Sequence, residues 1–112
     1  MRRLERLDPT GALNTFVTIA TVPTGHKYEI TDVTVQGNGG AQPFTYYLYV
    51  RTGAATYHGV DEIIIPAGGF YQHRQYAGWV AYAGELIIGY DTVPGGVGSF
   101  VASLNYVDVD PG

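Results

Sequence analysis

Nucleophilic catalysis needs a hydroxyl or thiol beside a base that a third group orients, and this chain has little from which to build one. Its only serines, Ser99 and Ser103, lie in a run of alternating apolar residues without a Gly-x-Ser-x-Gly elbow, and it has no cysteine. The lack of Cys also removes disulfides and thiolate-ligated zinc. His26, His58 and His73 are far apart and belong to no His-x-His or His-Glu-x-x-His metal pattern. His58 stands near Asp61 and Glu62, a set that folding would have to gather before it held an ion; the alternative is solvated loop residues. Asp108 and Asp110 project from one strand face, but two carboxylates are too few for a hard cation such as calcium, so they read as a solubilising tail. Gly95-Gly96-Val97-Gly98 lacks the Lys-Ser or Lys-Thr of a phosphate cradle and reads as a turn. A glycosidase pair is defined by spatial separation, and Glu29, Glu62 and Glu85 sit at strand edges without the surroundings such a pair needs. The chain therefore reads as non-enzymatic, with no catalytic residue, metal or cofactor expected.

Tyrosine is the unusual feature, with ten among 112 residues beside a single tryptophan. A tyrosine offers a rigid contact area and a hydroxyl that stays hydrogen-bonded, which suits it to interfaces. Tyr47, Tyr49 and Arg51 on one strand face, with Tyr71, His73 and Gln75 on another strand, have the composition of a contact surface. The alternative is a partly exposed core lying under loops. The same ring types serve carbohydrate binding, and Trp79 with Gln75, Tyr76 and Tyr82 forms a candidate sugar platform. Against it stands burial of Trp79 as the anchor of a sandwich.

Charge adds a third candidate. Net charge is -4, which argues against attraction to nucleic acid or anionic lipid over the whole surface. Yet Arg2, Arg3 and Arg6 outnumber Glu5 and Asp8, so residues 1–13 read as a basic arm able to dock on an acidic neighbour. The other reading is a frayed or short helical terminus stopped by Pro9 and Gly11.

Whatever these residues do, strands must position them. Sixteen Gly and six Pro interrupt the chain so evenly that an ordinary helix barely fits between the breaks. The uninterrupted stretches are rich in Val, Ile, Thr, Tyr and Phe, which favour a pleated surface. Strands are expected near Asn14 to Val22, Lys27 to Gln36, Phe44 to Arg51, Thr56 to His58, Glu62 to Ile65, Phe70 to Tyr76, Glu85 to Asp91 and Ser99 to Val109. Turns are expected at both Tyr-Ala-Gly triplets, 76–78 and 82–84, and across 37–43. The fold class is all-β: a single antiparallel β-sandwich over residues 14–112, jelly-roll-like, with about eight short strands. With 46% hydrophobic and 14% charged residues, one core suffices. No apolar run nears 18 residues and no signal-peptide core follows Met1, so neither a membrane span nor a Sec-type address is expected.

Period-two patterns predict the inward side. Phe44, Tyr46, Leu48 and Val50 should face the core, with Thr45, Tyr47, Tyr49 and Arg51 outward. Tyr28 and Ile30 are out of phase with Val33 and Val35, and a β-bulge at Thr31-Asp32 would bring both pairs inward. Phe100, Ala102, Leu104 and Tyr106 alternate before Val107 and Val109 switch phase, which predicts a second bulge near Tyr106 or a strand end covered by another chain.

The order of these signals supplies a resemblance. Val22-Pro-Thr-Gly-His-Lys-Tyr-Glu-Ile-Thr-Asp-Val-Thr-Val35, the Tyr-rich Phe44 to Arg51, Ile65-Pro-Ala-Gly-Gly-Phe70, Ala83-Gly-Glu-Leu-Ile87 and a closing Phe100 to Val107 strand follow one another. Together they resemble the small β-sandwich accessory proteins encoded in tailed-bacteriophage structural gene clusters, with Glu85 where that group carries Asp. The resemblance implies a virion protein assembled in the bacterial cytoplasm: a capsid decoration protein, a head-fibre or spike base, or a tail-associated module. It implies repeated symmetric contacts, with copies of itself as a homotrimer and with other virion proteins such as the major capsid protein, and no catalytic residue.

Overall fold

The computed structural model describes residues 2–7, 10–12, 16–36, 43–53, 56–69, 71–92 and 99–110. Among these described residues nine strands follow in chain order: β1 (Arg2–Leu7), β2 (Thr10–Ala12), β3 (Phe16–Thr21), β4 (Lys27–Gln36), β5 (Phe44–Thr52), β6 (Thr56–Ile65), β7 (Tyr71–Tyr82), β8 (Leu86–Thr92) and β9 (Ser99–Val109). One sheet runs β1-β9-β4-β7, with β2 also on β9, and the other runs β3-β8-β5-β6. All pairings are antiparallel. This is the strand order of a double Greek-key jelly roll in which β1 and β2 share one strand's place. Residues 37–42 of the loop expected across 37–43, the Gly95 to Gly98 turn, and the side chains of Phe44 and Phe100 lie outside the described residues.

The core forms where the alternation predicts it. Tyr46, Leu48 and Val50 of β5 are fully buried against Val33 and Val35 of β4, Ile63 and Ile65 of β6, Ile87 of β8, and Ala102 and Leu104 of β9. The bulge in β4 is present: register with both β7 and β9 shifts between Ile30 and Asp32. Thr31 is the extra residue, and its hydroxyl donates to the Asn105 carbonyl at 3.0 Å. The Asn105 amide in turn donates to Asp32 Oδ1 at 2.7 Å. This polar clasp holds the bulge, and Tyr28 and Ile30 stay buried on the same side as Val33 and Val35.

Several expectations are corrected. β9 has no bulge near Tyr106, because its pairing with β1 runs without a shift from Arg2 and Val109 to Leu7 and Leu104. Val107 and Val109 instead share the outward side with their register partners Leu4 and Arg2. Arg2–Leu7 is neither frayed nor helical: it is strand β1, lying along β9 with Arg2 ion-paired to Glu29. It covers the edge that β9 would otherwise expose. The segments Thr56 to His58 and Glu62 to Ile65 form one strand, β6, and the Tyr-Ala-Gly at 76–78 lies within β7 rather than ending it.

At one end of the core the Tyr28 and Tyr106 rings meet with centroids 4.4 Å apart. Burial, helped by the nearby Tyr28, Glu5 and Asp108, pushes the Tyr106 hydroxyl up to about 12. Burial followed by the Asp108 charge moves Tyr28 in the same direction from the ordinary 10.0. As pH rises the unfolded chain therefore loses these protons first, so their contribution to stability is intact below about pH 10 and is lost on the way to about 12. Urea midpoints should hold level up to about pH 10 and then fall, less steeply in Tyr106→Phe; equal slopes would remove Tyr106 from the explanation.

Candidate functional site

The outer face of the β3-β8-β5-β6 sheet gathers aromatic rings. Tyr47 and Tyr49, two apart on β5, lie stacked with centroids 6.0 Å apart and planes 9° from parallel. Tyr90 of β8 comes within 6.2 Å of Tyr47, Phe16 of β3 within 4.4 Å of Tyr90, and Tyr57 of β6 within 5.1 Å of Tyr49. Ile88, the register partner of Tyr49 and Thr18, shares this outward phase yet is only 2% exposed and is not part of the main core. The rings thus shelter a second, smaller apolar layer. Burial raises the Tyr49 hydroxyl pKa, with Tyr47, Tyr57 and Tyr90 adding to it. Phe16, Tyr57, Val60 and Ile64 are 57, 43, 57 and 48% exposed, so the face is both aromatic and open.

The expected contact group is divided by the fold. Tyr47, Tyr49 and Arg51 lie on this face, whereas Tyr71 and His73 are on β7 in the other sheet, where His73 Nδ1 meets Thr34 Oγ1 at 2.7 Å. Arg2, Arg3 and Arg6 are on β1, at the opposite edge of that sheet from β7. Phe16, Tyr57 and Tyr90 complete the aromatic face and were not singled out by sequence; alternation marks such residues as outward, but only register brings them together.

A second feature opens where β6 and β7, the neighbouring edges of the two sheets, face each other. Opposite the single bulge residue Thr31, β7 inserts Tyr76, Ala77 and Gly78 between the register partners Gln75 and Trp79. Gly78 takes φ 77°, a left-handed conformation that suits glycine. This detour helps form a cleft of about 480 Å³, with Gln75, Tyr76 and Trp79 on one wall and Gly59, Val60 and Asp61 on the other. Trp79 leans across onto β6, where a β-carbon at Gly59 would stand 2.5 Å from its indole nitrogen. Its ring meets Tyr76 edge-on, at 4.7 Å and 71°. Tyr76 donates to Asp61 Oδ2 at 2.6 Å, and burial together with this bond raises its pKa. Arg74 Nη1 lies 3.7 Å from Asp61 Oδ1.

Of the candidate sugar residues, Gln75, Tyr76 and Trp79 therefore converge, while Tyr82 stands apart and lines a separate apolar hollow with His26, Lys27 and Val109. Trp79 is half-buried, an anchor and a wall at once. Asp61 and Arg74 enter the site without having been read as a pair. His58, Asp61 and Glu62 do not gather: His58 Nε2 reaches Glu85 Oε2 at 2.8 Å, Asp61 turns to Tyr76 and Arg74, and Glu62 is the outward partner of Tyr47. Asp108 likewise meets His26, at 2.7 Å, with Asp110 3.8 Å from the other ring nitrogen. Among the described residues no three His, Asp or Glu side chains stand in a metal-holding group. No protein-family model matches the chain, and no curated protein matches it.

Proposed function

We propose that this protein is a structural component of a tailed-bacteriophage virion, a capsid decoration or head-surface accessory protein that works through contacts with copies of itself and with shell proteins. The carrying observation is the open aromatic face of the β3-β8-β5-β6 sheet, where Phe16, Tyr57, Val60 and Ile64 expose apolar surface around stacked tyrosines. Scattered surface apolar residues are ordinary; a continuous set on one sheet face marks an interaction surface. A jelly roll is shared by capsid and lectin domains, so fold alone does not choose between them. The residue resemblance to phage accessory proteins favours the virion, and a homotrimer is the assembly this reading expects. A stable interface would need on the order of 1,000 Å² or more of complementary surface. Light scattering coupled to size exclusion should find the wild-type chain as a trimer and Val60→Lys with Ile64→Lys as a folded monomer. A monomeric wild type at high micromolar concentration would count against the proposal.

A second reading, a carbohydrate-binding module for a host surface glycan, is favoured by the cleft that brings Gln75, Tyr76 and Trp79 beside Asp61 and Arg74.

A further inference from the structure

We propose that the cleft between β6 and β7 takes an uncharged saccharide, two adjacent hydroxyls of which span Asp61 Oδ1 and Arg74 Nη1. The inference rests on the carbohydrate reading and names the ligand class and the residues that recognise it.

One oxygen of Asp61 is already engaged, because the Tyr76 hydroxyl donates to Oδ2 at 2.6 Å. That bond fixes the carboxylate plane and leaves Oδ1 as an acceptor facing Arg74. The guanidinium is steadied from its other side, where Nη2 donates to the Glu62 carbonyl at 3.4 Å. The 3.7 Å between Oδ1 and Nη1 is too long for a direct hydrogen bond. The two groups thus stand as an acceptor and a donor side by side, both open to solvent, with side chains 22 and 44% exposed. A vicinal diol matches this arrangement: one hydroxyl donates to the carboxylate while its neighbour accepts from the guanidinium.

Charge selects the ligand further. The carboxylate would repel an anion approaching Arg74, the guanidinium would repel a cation approaching Asp61, and the pair carries no net charge. Phosphates and uronates are therefore disfavoured, and neutral polyols are not. The edge-on Trp79 and Tyr76 rings supply an apolar corner for the C–H face of a sugar ring, and the volume of about 480 Å³ lies within the range of small-molecule sites.

Trp79 is the chain's only tryptophan, so its fluorescence reports on the cleft directly. The full chain should be screened against a glycan array holding neutral and acidic oligosaccharides, and hits titrated by that fluorescence. Neutral glycans are expected to bind. Asp61→Asn and Arg74→Gln should each weaken binding by about tenfold or more with circular dichroism unchanged, while Tyr82→Phe, outside the cleft, should bind as wild type. Arg74→Lys, which keeps the charge but loses the planar fork, should fall between. Binding that survives both Asp61→Asn and Arg74→Gln would overturn the diol clamp and leave the carbohydrate reading standing. Preference for acidic glycans would overturn the uncharged class. No binding at millimolar glycan would overturn the carbohydrate reading and the clamp with it.

Discussion

Gly89→Ala is expected to lower stability by about 3 kcal/mol and the melting temperature by roughly 10 °C, although alanine suits a strand better than glycine. Gly89 has no positive φ, so backbone preference alone would make the substitution stabilising by about 0.4 to 1 kcal/mol. Packing reverses the sign. The Tyr46 ring, fully buried, crosses Gly89 so closely that a β-carbon there would lie 2.9 Å from Tyr46 Cζ, nearer still to its hydroxyl, and 3.3 Å from Ile19 Cδ1. The half-buried Ile19 can shift, but the Tyr46 ring, enclosed on all sides, has no space to retreat in a filled interior. Chemical denaturation would measure the loss, and adding Tyr46→Phe should restore part of it, because the hydroxyl is what the new methyl strikes first. A stabilised Gly89→Ala, or no recovery in the double variant, would show that the ring is not the obstacle.

Glu85→Ala should cost about as much, roughly 3 kcal/mol, for a different reason. Only 5% exposed, Glu85 accepts from the Tyr82 backbone N–H at 2.7 Å, from the Thr52 hydroxyl, and meets His58 Nε2 at 2.8 Å. Its own carbonyl accepts from Val22 N at 3.0 Å, so one residue ties the β7-β8 turn to the ends of β3 and β5 and the start of β6. Truncation takes the shared acceptor away from the part-buried Tyr82 N–H and Thr52 hydroxyl at once and leaves a gap where the buried carboxylate stood, which costs more than the bonds themselves contribute. His58 is 55% exposed and can turn to water, so His58→Ala should cost under about 1 kcal/mol. The urea midpoint should shift with its slope unchanged. A Glu85→Ala chain within about 0.5 kcal/mol of wild type would contradict this assignment.

How much was legible depends on whether the determining contacts are local. The inward placing of Tyr46, Leu48 and Val50 in β5 and the bulge at Thr31 follow from period two within single strands, and the sequence predicts both correctly. Alternation alone splits β6 into Thr56 to His58 and Glu62 to Ile65; in the fold the intervening Gly59 makes room for Trp79, twenty residues on, a reason invisible locally. β7 was ended early because Tyr-Ala-Gly reads as a turn, whereas at 76–78 it is a detour inside a strand held on either side by β4. β1 was missed because its partner, β9, lies at the far end of the chain. The site divides likewise. Gln75, Tyr76 and Trp79 were recognisable by type, but the Asp61 and Arg74 pair joins edges of different sheets, and Glu85 is buried by a turn that gathers four separate segments.

The pairing of Arg2 with Val109 also bears on protein engineering. Arg2 and Val109 therefore share one corner of the molecule, on the sheet that does not carry the aromatic face, so tags or cargo joined just before Arg2 or just after Val109 would start from the same place. A short peptide splice across that corner would give a circular permutant whose new ends can be opened at an exposed turn such as Pro66 to Gly69, well suited to multivalent display.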